Sequence, residues 1–354
     1  MNRPRWVHTK SFQKLKDLFF AMLFHIGFFD LVRTISNKLG RGAVILCYHR
    51  VIKGDPDPYS IPGTQVDIQS FIAQVRRIYC KYKIISFTAL VEKLKKGVLD
   101  RDYLVLSFDD GFRDNRSIAY PVLKRYHAPA IFFISPDRLG SRSTIWNNRV
   151  WFLLSRNPTS DSLRWGGHEL PLRSEFEKLK ARDFINQTLA PMKEEERELQ
   201  LERVARAFRS SLQPSENPEL MMNQDDLSYM IAGGLAEFGS HSLTHPVLPL
   251  CEEEQRIQEV EGSKKALEDT LHLPIAHFAY PGGAHDEKIV GSVRNAGYEA
   301  AVTTSEGLVK IGDDLFLLHR VNVVRDDTIY SLMIRKLVPL YMRNITSALK
   351  RFLW

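Results

Sequence analysis

The sequence predicts an α/β fold built on a parallel sheet or barrel, and three observations carry that expectation. Short apolar runs alternate with helical stretches along most of the 354 residues. Most of those runs are apolar throughout rather than alternating, as in strands covered on both faces. Polar clusters follow the ends of several runs, where parallel α/β architectures gather their chemistry. At 44% hydrophobic, the chain has enough apolar surface for one large core or two smaller ones.

Taken in order, the first 42 residues read as a basic amphipathic helical region. Arg3, Arg5, Lys10, Lys14 and Lys16 lead into a stretch where Phe12, Leu15, Leu18, Phe19, Met22, Ile26 and Phe29 recur at helical spacing. No small-residue cleavage site follows, Asp30 and Arg33 interrupt the stretch, and it is short for a bilayer span. Strands are expected at Ala43–Tyr48, Lys83–Phe87, Tyr103–Phe108, Pro129–Ile134, Leu235–Gly239, Ile275–Tyr280, Glu299–Thr303 and Leu315–Val323. Helices are expected at Asp67–Tyr79, Thr88–Lys96, Asn115–Tyr126, Glu252–Leu271 and Asp286–Ala296. The barrel therefore spans 43–325. Residues 146–226 break its rhythm: they are charged, mostly helical in pattern and show no obvious strand. They read as a helical insertion, serving either as a lid or substrate platform or as a plain surface excursion. Trp146 and Trp151 fall in an apolar stretch and read as helix packing. The tail, 326–354, interleaves Leu332, Leu337, Leu340, Tyr341, Ile345, Leu349 and Phe352 with Arg335, Lys336, Arg343, Lys350 and Arg351, a second basic amphipathic helix.

Charge narrows the partners. The chain carries 49 basic and 42 acidic side chains, a net +7, with the excess suggestively placed at the two ends. Basic amphipathic helices lie on anionic membranes or dock on their own domain, and both readings stand here. The basic residues lack the aromatic interleaving of a base-stacking platform, so no nucleic acid is expected. Three cysteines, Cys47, Cys80 and Cys251, form no C-x-x-C pair and leave an odd count. A disulfide framework is not expected, and a reducing compartment is. The expected location is cytoplasmic, with a peripheral position at the inner membrane face as one reading.

Chemistry concentrates at two places. Asp109 and Asp110 end the apolar run Tyr103–Phe108 and precede Gly111. A strand interior tolerates no unpaired charge, so these carboxylates belong at a sheet edge, facing water, a metal or each other. His241 and His245 stand four residues apart, a spacing at which a helical turn aims both imidazoles at one point. Two imidazoles and one carboxylate suffice for a metal with open coordination positions. Each cluster alone is a weak signal. Both following predicted strands makes coincidence harder to sustain.

Ser107-Phe108-Asp109-Asp110-Gly111 and His241-Ser-Leu-Thr-His245-Pro246 resemble the first two motifs of the NodB-type polysaccharide deacetylases, carbohydrate esterase family 4, and Phe278-Ala-Tyr-Pro-Gly282-Gly283 resembles a variant of the third. The segments Ile45-Leu-Cys-Tyr-His49-Arg-Val and Leu317-Leu-His319-Arg320-Val also suit that family, so the resemblance spans residues 43 to 325. It implies a distorted (β/α) barrel and metal-assisted hydrolysis of the amide of an N-acetylated sugar in a polysaccharide, oligosaccharide or lipid-linked precursor. Asp109 would be the general base, and Asp110, His241 and His245 the metal ligands. Zinc is favoured, with cobalt, manganese or nickel as alternatives. A backbone N–H near Tyr280 and Gly282 would face the oxyanion.

The third motif departs from the family pattern. The positions of its arginine and aromatic are occupied by Ala279 and Gly282. Arg320 is the expected substitute partner for Asp109, held by charge pairing. Two histidines compete for the general acid, His49 and His319. A strand alternates its faces, so His319 and Arg320 cannot both point inward without a bulge, and His49 is slightly preferred. The altered motif also leaves open a catalytically silent carbohydrate-binding relative, and the basic ends leave open a membrane-associated assembly component.

Overall fold

The computed structural model describes residues 10–156, 161–208 and 220–353. Arg3, Arg5 and the side chains of Lys10, Phe12, Lys14, Arg351 and Phe352 lie outside the described part, as do two stretches of the insertion, 157–160 and 209–219. Eight strands form the main parallel sheet: β1 (Val44–Tyr48), β2 (Lys83–Ile84), β3 (Tyr103–Phe108), β4 (Ala130–Ile134), β5 (Ala236–Ser240), β6 (His277–Ala279), β7 (Ala300–Val302) and β8 (Val321–Asn322), with Arg50–Ile52 and Gln65–Asp67 paired apart from it. Their order is β7-β6-β5-β4-β3-β1-β8, with β2 paired to the first residues of β3. Leu318 pairs with Val302 of β7, and Val321 pairs with Leu46 of β1. The last segment thus links the two ends of the curled sheet, which makes it a distorted (β/α) barrel.

Every residue of β1, β3 and β4 is buried, as their uninterrupted apolar runs require. Alternate residues enter different cores. Val44, Leu46, Leu104, Leu106, Ala130 and Phe132 pack in the larger cluster with the surrounding helices. Ile45, Val105, Ile131, Phe133, Ala279 and Val302 form the second cluster with the helix Phe87–Lys95. Each such side chain stabilises the fold by roughly 1.5–3 kcal/mol. The period of two has a consequence for chemistry. Cys47 and His49 continue the face of Ile45, and Ser107 and Asp109 continue that of Val105, so all four converge at one mouth of the barrel. Gly239 is required where β5 crosses β4, because a Cβ there would stand 2.5 Å from the Phe133 ring.

Several expected elements are shorter or different. The strand expected to reach Phe87 stops at Ile84, because Ser86 caps the following helix by accepting from the Ala89 N–H. The run Leu315–Val323 contributes only the Leu318 bridge and β8. The insertion contains a strand pair that was not expected: Ser162–Trp165 runs antiparallel to His168–Pro171 around Gly166 and Gly167, both at positive φ. That Gly-Gly turn is a hairpin signal which the surrounding charge pattern masked.

The N-terminal region is two helices, Lys10–His25 and Phe28–Leu39, bent by 57° at Gly27, whose φ of 79° only glycine adopts freely. The second docks on the C-terminal helix Val338–Leu353: Phe29 meets Tyr341 edge-on, and the Asn344 amide donates to Ser36 and Gly40. Docking leaves Leu15, Leu18, Phe19, Met22 and Ile26 exposed along one stripe of the first helix. Among the described residues no single helix is long and apolar enough to cross a membrane. The bent pair passes that test by length and composition only.

Candidate active site

Asp109 and Asp110 lie past the end of β3, and Asp110 turns the chain with φ 74°, followed by Gly111 at 80°. Aspartate tolerates this left-handed conformation better than most residues. The turn splits the pair. Asp109 stays on the barrel-interior face while Asp110 is aimed across the mouth at the loop after β5.

That loop is not the helical turn which the four-residue spacing suggested. Residues 241–245 form an irregular turn with Ser242 at φ 60° and His245 at φ 63°, closed by the His245 N–H donating to Ser242 Oγ at 3.1 Å. The outcome for the imidazoles is nonetheless convergence. Asp110 Oδ1 stands 3.6 Å from His241 Nε2 and 3.7 Å from His245 Nε2, and all three residues are buried. Ligand atoms about 2.0–2.2 Å from a tetrahedral ion lie roughly 3.3–3.6 Å apart, so this set fits a divalent metal. The Nδ1 of His241 faces the Ala279 carbonyl at 2.8 Å, which assigns its proton to Nδ1 and leaves the Nε2 lone pair facing Asp110. Burial drives the His245 pKa well below its ordinary value, so that ring is neutral and fit to ligate. Burial and then the Asp109 charge raise Asp110 to about 7.

Asp109 has a different neighbourhood. Arg320, fully buried, forks onto it with two bonds of 2.7 Å, Nη1 to Oδ1 and Nη2 to Oδ2. The guanidinium is fixed in turn by Nε donating to the Thr303 carbonyl at 2.9 Å. Burial alone would raise the Asp109 pKa, but Arg320 overrides it by charge and hydrogen bonding and holds the carboxyl well below the usual range. Cys47 is a member of this site that sequence reasoning missed. Its Sγ lies 3.5 Å from Asp109 Oδ2, and burial pushes the thiol up so that it remains an S–H donor. The signal was present in the strand period, since Cys47 shares a face with His49.

The two candidate acids separate in space. His49 clusters with Cys47 and Asp109, their polar atoms within 4.8 Å of one another, and burial lowers its pKa despite the Asp109 charge. His319 is in neither cluster of potential ligands among the described residues, and its ring lies over Gly307, where a Cβ would meet it at 2.7 Å. Arg320 takes the inward position. Tyr280 is also displaced from its expected role. It is fully buried, and its N–H donates to the Val302 carbonyl at 3.2 Å, so it has none left for an oxyanion. Gly282, at φ 59°, remains at the mouth. A cavity of about 400 Å³ runs from His245 and Gly282 along Trp146, Asn147, Asn186 and Gln187. Two helices of the insertion, Trp146–Ser155 and Glu175–Leu189, therefore wall the groove beside the site.

The family model for polysaccharide deacetylase matches residues 96–301, more than half of the chain, and that stretch holds Asp109, Asp110, His241 and His245. The chain belongs to the polysaccharide deacetylase family. It is thereby a hydrolase of the glycan N-deacetylase class. The deacetylase is 24% identical over 285 residues to YxkH of Bacillus subtilis, named as a polysaccharide deacetylase, covering 79% of this chain and 70% of that one. It is 29% identical over 109 residues to the poly-β-1,6-N-acetyl-D-glucosamine N-deacetylase of Staphylococcus epidermidis, covering 28% of this chain and 38% of that one. Among solved structures, its fold is similar to the Streptococcus pyogenes deacetylase PplD in complex with acetate, with a TM-score of 0.57, 18% identity, and coverage of 84% and 99% of the two chains. IcaB from Ammonifex degensii gives a TM-score of 0.54 at 18% identity, covering 85% and 97%. His49, Cys47 and Arg320 fall outside the family-matched stretch of the deacetylase, and the barrel closure brings them to it.

Proposed function

We propose that this deacetylase removes N-acetyl groups from an N-acetylated hexosamine of an oligosaccharide, polysaccharide or lipid-linked precursor, using a divalent metal held by Asp110, His241 and His245. The observation that carries the reading is the division of the aspartate pair: Asp110 faces the Nε2 atoms of two imidazoles, whereas Asp109 is paired to Arg320. A divalent ion held there, zinc being favoured by the two imidazoles, would lower the pKa of a water and polarise the acetyl carbonyl. Asp109, kept ionised by Arg320, is the base placed to take a proton from the attacking water. The Gly282 N–H, at the groove mouth, is the backbone donor placed for the developing oxyanion. His49 is neutral at rest, takes up a proton beside Asp109 and delivers it to the leaving amine. Arg320, immediately before β8, supplies the cation that the altered third motif lacks.

The similarity to a poly-β-1,6-N-acetyl-D-glucosamine N-deacetylase favours N-acetylglucosamine as the sugar. The test is acetate release from chitooligosaccharides, β-1,6-linked N-acetylglucosamine oligomers and a lipid-linked N-acetylhexosamine, with zinc, cobalt or manganese added. Metal-stimulated release that is lost in His241→Ala supports the reading. Purified chain that binds no metal and releases no acetate from any of these refutes it.

A peripheral contact with an anionic bilayer, at the cytoplasmic face of the inner membrane, is the second part of the proposal. The exposed stripe Leu15, Leu18, Phe19, Met22 and Ile26 supports it, with the exposed Lys38, Arg343 and Lys350 on the adjoining helices, and Arg41 just past the end of the second helix, supplying cationic partners for lipid headgroups. Co-sedimentation with anionic but not neutral vesicles, weakened by Phe19→Glu, is the expected result. Equal recovery in the supernatant with both vesicle types overturns it.

A further inference from the structure

The loop bearing both imidazoles holds two non-glycine residues, Ser242 and His245, in the sparsely populated left-handed region. Such a conformation persists only where the surroundings over-determine it. Besides the Ser135 hydroxyl, which donates to the His241 carbonyl at 2.9 Å, two side chains from outside the loop grip its backbone. The carboxylate of Glu259, from the segment Gln258–Gly262, accepts three bonds: from the Leu243 N–H at 2.8 Å and the Thr244 N–H at 2.9 Å on Oε2, and from the Thr244 hydroxyl at 2.6 Å on Oε1. On the other side, the indole N–H of Trp146, from the first helix of the insertion, donates to the His245 carbonyl at 2.8 Å. Both residues are buried, Glu259 at 3% exposure and Trp146 at 5%.

We infer that Glu259 and Trp146 are positioning residues that hold the 241–245 loop in the one conformation where both Nε2 atoms face Asp110. This rests on the proposed metal role of that triad and goes beyond it, because neither residue touches the ligand atoms. Glu259 acts by satisfying two N–H groups that the irregular turn leaves without sheet or helix partners. A carboxylate accepts from all three donors at once, whereas a glutamine keeps both N–H groups only on a neutral oxygen, a weaker acceptor, and forces the Thr244 hydroxyl to turn round and accept. Trp146 acts by fixing the carbonyl of a ligand residue, and is itself covered by the Arg197 guanidinium 4.9 Å from its ring. Arg197 is buried at 1% exposure and has no hydrogen-bond partner among the described residues, and its charge opposes the rise that burial imposes on the Glu259 pKa. The insertion is therefore more than a groove wall: through Trp146 and Arg197 it sets the geometry of the metal loop.

The experiment measures zinc affinity by competition with a chromophoric chelator, and amide hydrogen exchange of the metal-free protein, in the full chain. Glu259→Gln is expected to weaken zinc binding roughly 10–100-fold, as loss of an outer-shell partner does, and to accelerate exchange at Leu243 and Thr244. Trp146→Phe, which keeps the ring and loses the donor, is expected to weaken binding roughly 3–10-fold. In both variants excess zinc restores kcat, which a general loss of folding would not permit. If Glu259→Gln fails to fold, Thr244→Val and Trp146→Phe carry the test. Wild-type zinc affinity together with unchanged exchange in the folded variants overturns the inference. A wild-type chain that binds no zinc sinks the metal role of the triad instead, and the exchange measurement then still decides whether the brace exists.

Discussion

Replacing Arg320 by glutamine removes a full positive charge 2.7 Å from both oxygens of Asp109, at a position with no exposure to solvent. Asp109 itself is 2% exposed, and full burial raises a carboxyl by up to about 3–5 units when nothing opposes it. At present Arg320 reverses that shift and holds Asp109 well below the ordinary carboxylate range. Without it, the Cys47 thiol is weaker support, and burial should carry the Asp109 pKa past its unfolded value of about 3.9. Breaking a buried pair from one side also costs roughly 3–5 kcal/mol of stability. The sign of the pH dependence follows. In the wild type, with the folded pKa depressed, Asp109 contributes stability above pH of about 4, and the contribution is lost as pH falls through the folded value. In Arg320→Gln the folded pKa is raised, so the contribution is present below about pH 4 and is lost as pH rises through the new value. The stability gap between the two proteins should therefore be wider at pH 8 than at pH 5 in urea unfolding of metal-free protein. The acid limb of kcat/KM should move toward neutrality in parallel, and Arg320→Lys, which keeps the charge without the fork, should fall between. An acid limb at its wild-type position, with a stability gap independent of pH, would refute the assignment of Arg320 as the guardian of Asp109's charge.

Two further outcomes are expected. Asp110→Asn in metal-free protein should be more stable than wild type at pH 8 by about 2–4 kcal/mol, because burial and Asp109 raise the Asp110 pKa to about 7. Since that folded value exceeds the unfolded one, the wild type carries this stability below about pH 4 and loses it as pH rises through 7; the gap should close at pH 4, measured by unfolding in the presence of chelator. Asparagine suits the positive φ at 110, so backbone strain does not confound the comparison. His49→Ala should remove the limb of the pH–rate profile that reports a protonated group, whereas His319→Ala should leave it in place; the reverse outcome would transfer the acid role to His319.

Some of this was legible in the residue order and some was not. The buried strands and the positions of Asp109, Asp110, His241 and His245 just beyond β3 and β5 were, because burial on both faces and the end of an apolar run are local properties of a sequence. The shape of the 241–245 turn was not. A four-residue spacing is shared by a helical turn and by this irregular loop, and the loop's conformation depends on Glu259 and Trp146, respectively 14 residues after and 99 residues before His245. The Gly166-Gly167 hairpin was visible in principle but lay within a charged, helix-patterned stretch.

What the sequence alone determined about this deacetylase is its alternating α/β plan and the residue types at the ends of its strands. Only the tertiary structure decided which arginine serves Asp109 and which histidine stands beside it. Arg320 and Asp109 are 211 residues apart in the chain, and no local periodicity relates them. They meet because Leu318 bridges to β7 while Val321 pairs with β1, closing the sheet on itself and turning one residue between those two pairings into the barrel mouth. The aspartate pair reads as two adjacent carboxylates in one dimension, and the left-handed turn at Asp110 gives each a separate partner in three.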